Sequence, residues 1–150
     1  MTRHGLFYED FTSGAAYTTD RRTITEADHV NFTTAFGFFE PLFMDRAYVS
    51  QKTPYARPIV PGTLTFSMAE GLTILSGILN GTGLAFLGVD LTVDGPVFIG
   101  DTISVAITVA EKRRTKKPGR GLVACSHRVV NQEGETVMTY TVRRMIRCRQ

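Results

Sequence analysis

Glu40 stands inside an aromatic run, Gly37-Phe38-Phe39-Glu40-Pro41-Leu42-Phe43. A carboxyl group enclosed by Phe38, Phe39 and Phe43 would have its pKa raised by desolvation, which suits a general acid or base near neutral pH. The alternative is a solvent-facing turn residue ahead of Pro41, the ordinary situation for glutamate. A second group is Pro61-Gly62-Thr63-Leu64, at the mouth of a strongly apolar segment. If a helix opens there, the backbone N–H groups of Gly62, Thr63 and Leu64 can stabilise negative charge on a ligand carbonyl, and glycine permits close approach. The plain alternative is a Pro-Gly turn before a core helix. Arg57 lies just upstream of that loop, and Lys116, Lys117 and Arg120 form a basic stretch. All are chemically able to pair phosphates, with a solvated loop as the competing reading of the lysines.

Other titratable residues have structural explanations. Asp28 follows Thr25 at capping-box spacing, with Asp in place of the usual Glu or Gln. Asp45 reads as a first-turn carboxylate of a short helix. His29 falls in the preceding helix, and His127 shares a strand face with Cys125 and Val129, where it reads as a core or dimer position. Cys125 and Cys148 are the only cysteines, and neither has a Cys or His at metal-ligand spacing. A reducing, cytoplasmic setting follows from that usage.

These residues must be positioned by a chain of 150 residues, one ordinary domain spanning 1–150 with no linker or repeat. Hydrophobic residues make up 43% and charged residues 21%, a globular balance. A net charge of +3 fits an anionic ligand but does not argue for nucleic acid. The opening Met1 to Leu6 lacks the apolar stretch of a secretory leader, and Leu64 to Leu79 is short and interrupted for a membrane span, so neither is expected.

The first half reads as helical. A short strand at Arg22–Ile24 leads to a helix from about Thr25 to Ala35, ended by Gly37. Pro41 forces Glu40 into extended backbone, and a second short helix is expected over Asp45–Gln51. Leu64, Met68, Leu72, Leu75 and Leu79 recur at helical spacing, widened by Ala69 and Ile74, and Asn80 to Gly83 should stop that helix. Four strands follow. One begins at Phe86–Thr92; in the next, Ile103, Val105, Ile107 and Val109 alternate with smaller or polar residues; Leu122–Val130 is apolar enough on both faces to be central; and Met138, Tyr140 and Val142 share the inner face of the last. Lys112 to Gly121 is the polar connection. One long helix and an antiparallel meander make an α+β architecture.

Four segments in register resemble the MaoC-like hydratase family: Thr23 to Asp28 with Phe32, Arg57 to Gly62, Pro96 to Thr102, and Val130 to Glu135. The opening Gly5 to Phe11, with Gly14, is similar to the branch handling mesaconyl-, itaconyl- or methylmalyl-CoA. The resemblance implies a hotdog fold, with a curved sheet around the long helix, and a homodimer joined edge to edge or a higher oligomer of such dimers. It further implies reversible hydration of an enoyl-CoA to a 3-hydroxyacyl-CoA, with coenzyme A entering only as part of the substrate and no separate cofactor, metal, nucleic acid or membrane involved. The family motif Gly-Asp-x-Asn-Pro-x-His falls on residues 37–43, and here the chain departs from it. Phe38 replaces the Asp, Glu40 the Asn and Phe43 the His, and Pro61 stands where many relatives have His. The usual proton-transfer pair is therefore missing. Glu40 is the remaining candidate for catalysis, with Phe38, Phe43, Arg57, Pro61, Gly62 and Thr63 expected around the substrate. A non-catalytic acyl-CoA-binding or partner subunit is the alternative, and a hotdog thioesterase the third reading.

Overall fold

The structure, a computed structural model, describes residues 4–149, so Met1 to Arg3, read above for leader character, and Gln150 lie outside the described residues. In chain order the elements are β1 (Ala16–Thr18), β2 (Arg22–Thr23), α1 (Glu26–Phe36), α2 (Pro41–Met44), α3 (Arg46–Lys52), α4 (Gly62–Leu75), β3 (Gly83–Val93), β4 (Thr102–Arg114), β5 (Arg120–Val130) and β6 (Thr136–Arg147). The sheet is antiparallel in the order β1-β4-β5-β6-β3, with β2 also paired to β4. It curves around α4 as a hotdog fold, α+β as expected.

The period-two pattern of β4 explains the core. Ile103, Val105, Ile107 and Val109 are all buried. They meet Leu64, Met68, Ala69 and Leu72 of α4 and the inner faces of β5 and β6 in one cluster. Each large aliphatic side chain buried there contributes about 1.5–3 kcal/mol. Central β5 buries Val123, Cys125, His127 and Val129 on its inner face, while the other face buries Ala124 but exposes Ser126 and Arg128. The strand is therefore central in the sheet with only one face covered, not both as its composition suggested. A bulge between Val109 and Glu111 shifts the alternation by one residue. Lys112 consequently turns inward, where its ammonium donates to the carbonyls of Tyr8 and Phe11.

Three expectations are corrected. The central helix stops at Leu75 rather than near Asn80, because Gly77 takes a left-handed conformation, φ 83°. Ile78 and Asn80 then present carbonyls to the amides of Leu6 and Gly5. Gly5 is needed for that approach, since a Cβ there would lie 2.5 Å from the Asn80 nitrogen. Leu75 is 78% exposed and Ile74 is exposed too, so neither belongs to the core stripe. The connection between β4 and β5 is only residues 115–119, because both strands continue through charged residues whose edges still pair. The strand β1 and the helix α2 were not foreseen; each is too short to carry a periodic pattern, and proline at the first position of α2 is what starts it.

Candidate functional site

The aromatic segment is set by two caps. Thr25 accepts a bond from the Asp28 amide at 3.2 Å while Asp28 accepts from the Thr25 amide at 2.9 Å, the reciprocal box read from the sequence. Burial would raise the Asp28 pKa, but the bonds from the Thr25 amide and hydroxyl and the charge of Arg22, 2.7 Å away, outweigh it and hold it below the usual range. Gly37, at φ 75°, closes α1 with its N–H on the Thr33 carbonyl. The chain then doubles back through α2 into α3, where Asp45 caps the Tyr48 amide at 2.9 Å, standing just ahead of the helix rather than in its first turn.

Within this turn Phe38 is half-buried, 5.3 Å from the ring of Phe32 and 6.1 Å from that of Phe43. Phe39 points to solvent at 62% exposure. Glu40 begins α2 with its carboxylate unbonded to any cap and is exposed in the protomer, so the enclosure imagined for it is absent within one chain. His29 is buried instead, its Nε2 2.8 Å from the Phe43 carbonyl oxygen, and it ties α1 to α2. The positions where a proton-transfer pair would stand are thus filled by packed rings.

The second group forms at the start of α4. The Pro61 carbonyl accepts from the amides of Leu64 and Thr65, at 3.0 and 3.2 Å. That takes Leu64 out of the set of free donors. The amides of Gly62 and Thr63 make no hydrogen bond with the described residues. Gly62 lies against Val93, where a Cβ would approach Cγ2 to 3.3 Å. Arg57 reaches this region through Asp101: its guanidinium bonds the carboxylate at 3.1 Å and lies 4.4 Å over the ring of Phe98. Asp101, 1% exposed, also accepts from Gln132 and from the Phe98 amide, so Arg57 is half engaged in holding the loop. No hydrogen bond or ring contact among the described residues joins the aromatic turn to the α4 start within one protomer.

A third cluster escaped the sequence reading. Glu70, on the sheet-facing side of α4, accepts from the Tyr140 hydroxyl at 3.0 Å and pairs with Arg144. Tyr140 stacks on His127 with ring centroids 4.4 Å apart and nearly parallel planes. His127 is buried; its Nδ1 lies 3.0 Å from the Cys125 carbonyl oxygen and its Nε2 has no partner among the described residues. Burial brings its pKa down to about 4, against the opposing charge of Glu70. Burial likewise pushes Cys125 up to about 11, and burial with the charge of Glu70 raises Tyr140. A signal was present: Arg144 has the inward parity of Tyr140 and Val142, and Glu70 is a lone charge in an apolar helix.

The model of the MaoC-like domain family matches residues 10–131. The (R)-specific enoyl-CoA hydratase of Aeromonas caviae is 34% identical over 101 residues, covering 67% of this chain and 70% of that one. A structure of a protein called monoamine oxidase regulatory protein, from Archaeoglobus fulgidus by its description, superposes with TM-score 0.91 at 32% identity, over 100% of this chain and 99% of the other. A Mycobacterium tuberculosis protein described as having a double hotdog fold superposes with TM-score 0.86 at 18% identity, covering 97% of this chain and 45% of that one.

Proposed function

On the premise that this chain belongs to the MaoC-like domain family, we propose that it is an acyl-CoA hydro-lyase, interconverting an enoyl-CoA and a 3-hydroxyacyl-CoA by addition or loss of water. The observation that carries the reading is the pair of unengaged amides, Gly62 and Thr63, opening α4 in a chain so similar to an (R)-specific enoyl-CoA hydratase. As water attacks C3, negative charge grows on the thioester oxygen, and two such N–H groups are suited to receive it. A base must take the proton of the water and an acid must supply one to C2. Glu40 is the carboxylate assigned to this transfer, with Phe38 and Phe43 shaping the acyl site and Pro61 setting the α4 amides. Arg57, only partly engaged by Asp101, is the cation assigned to the coenzyme A moiety in this reading.

The protein acts as a homodimer in this reading. β3 is an 11-residue edge strand with Leu84, Phe86, Leu87, Leu91 and Val93 exposed, and Leu84 and Phe86 share a groove with Ile74 and Leu75. A long apolar edge of this kind invites pairing with another strand, and the double hotdog neighbour contains about twice the length of this unit. The pairing would supply the wall that Glu40 lacks in one protomer. Buried, unpaired Cys125 and Cys148 fit a reducing cytoplasm.

The test is loss of enoyl-thioester absorbance across a panel of enoyl-CoAs that includes mesaconyl-CoA, for the parent and Glu40→Gln. Turnover is expected, with the variant reduced about 100-fold or more; unchanged turnover in Glu40→Gln removes Glu40 from the mechanism. The packed rings of Phe38 and Phe43 and the exposure of Glu40 favour a second reading, a non-catalytic acyl-CoA-binding or partner subunit. Binding without turnover across the whole panel selects it.

A further inference from the structure

A groove of about 660 Å³ runs between the C-terminal end of α4 and the start of β3. Its walls include Ile74, Leu75, Leu79, Leu84 and Phe86, and Arg144 is the charged residue lining it. The Arg144 side chain is only 11% exposed and lies 5.6 Å from the centre of the Phe86 ring. Of the five N–H groups of a guanidinium, only those on Nη2 find an acceptor among the described residues, the Glu70 carboxylate. The remaining donors sit at an apolar groove, the arrangement by which a ligand site fixes orientation with few polar groups.

The placement of this groove follows from the topology, given the paired hydro-lyase reading above. α4 runs opposite to β3, with Gly62 against Val93 at the strand's end and Leu75 leading into its start. Two identical edges joined by a two-fold axis through one continuous sheet must pair antiparallel, with both helices on the same face. The α4 start of the partner then comes beside this groove. An acyl thioester whose carbonyl rests on the free amides of one protomer would direct its acyl group into the groove of the other.

We propose that Arg144 selects acyl groups that carry a carboxylate at the end remote from the thioester. A carboxylate there meets charge-assisted N–H donors on Arg144. Glu70 keeps the guanidinium oriented and prevents it from standing as an unpaired buried charge, and its own negative charge tempers the attraction. The expected preference is therefore about tenfold, a fraction of what a charge-assisted bond to an unopposed arginine gives.

The test compares two saturated five-carbon thioesters, glutaryl-CoA and pentanoyl-CoA, by isothermal calorimetry on the full chain, so that no turnover is needed. The parent protein is expected to bind glutaryl-CoA about tenfold more tightly. In Glu70→Gln/Arg144→Met, which removes both charges at similar volume, the ratio should fall below twofold. Arg144→Lys, which keeps the charge without the fork, should retain an intermediate ratio and serves if the double variant does not fold by circular dichroism. Equal affinities in the parent, or a ratio that survives in the variants, overturn the role of Arg144 and leave the acyl-CoA reading standing. Absence of binding by both thioesters overturns that reading and this one together.

Discussion

Acid should destabilise this protein through one buried imidazole. His127 is 2% exposed, stacked on Tyr140, and held neutral by burial, with its pKa brought down from the ordinary 6.5 to about 4. In the unfolded chain the same imidazole takes its proton below about pH 6.5. Between those values the unfolded state binds more protons than the folded one, so stability rises with pH through this window. The contribution is fully present above pH 6.5 and is lost as pH falls toward 4. At about 1.4 kcal/mol per pH unit, the loss by pH 4 is about 3 kcal/mol. With a urea dependence of about 1–3 kcal/mol per molar, the midpoint should fall by about 1 M or more. Acidic residues such as Asp28, whose native pKa is lowered, add an acid sensitivity of their own. The informative quantity is therefore the difference between the parent and His127→Gln, which cannot titrate. Urea melts followed by far-ultraviolet circular dichroism at pH 7, 5.5 and 4 should show the parent losing about 3 kcal/mol more than the variant. Parallel losses in the two proteins would mean that the folded imidazole protonates freely and that the His127–Tyr140 stack is not sealed from water.

Asp101 and Arg57 should respond unequally to truncation. Asp101→Ala removes a buried acceptor serving Arg57, Gln132 and the Phe98 amide and should cost about 2–3 kcal/mol in urea melts, whereas Arg57→Ala, at the exposed end of the pair, should cost about 1 kcal/mol or less. Gly121→Ala would place a methyl 2.2 Å from Cδ2 of buried Tyr8 and should lower stability by about 1–3 kcal/mol; combining it with Tyr8→Ser should give less than the sum of the single losses in the same melts, and strict additivity would contradict the clash. Lysines at Leu87 and Val93, both exposed on β3, should convert a dimeric protein to a monomer in multi-angle light scattering, and a dimer that persists would locate its interface elsewhere.

The sequence by itself determined the pieces whose chemistry is local. The Thr25–Asp28 box and the left-handed Gly37 are each made by residues within four positions of one another, so spacing was enough to read them. The inward alternation of β4 was legible because burial of one face imposes a period of two, and the central place of β5 because its apolar run is flanked by strands on both edges, though its outer face stays open at Ser126 and Arg128. The motif departures at Phe38, Glu40 and Phe43 were likewise visible as residue types. Tertiary structure alone decided what those residues meet. Glu40 lies exposed while His29 takes the buried bond to Phe43, because which side of the turn faces α1 depends on how α2 folds back. The true end of α4, and the exposure of Ile74 and Leu75, depend on Gly77 and on a carbonyl pairing with residues more than seventy positions away. The Glu70–Arg144–Tyr140–His127 cluster joins one helix to two strands, and only the register of β5 against β6 sets His127 opposite Tyr140. Parity could mark Arg144 as inward, but its carboxylate partner is set by the packing of α4 across the sheet, an interaction with no sequence period.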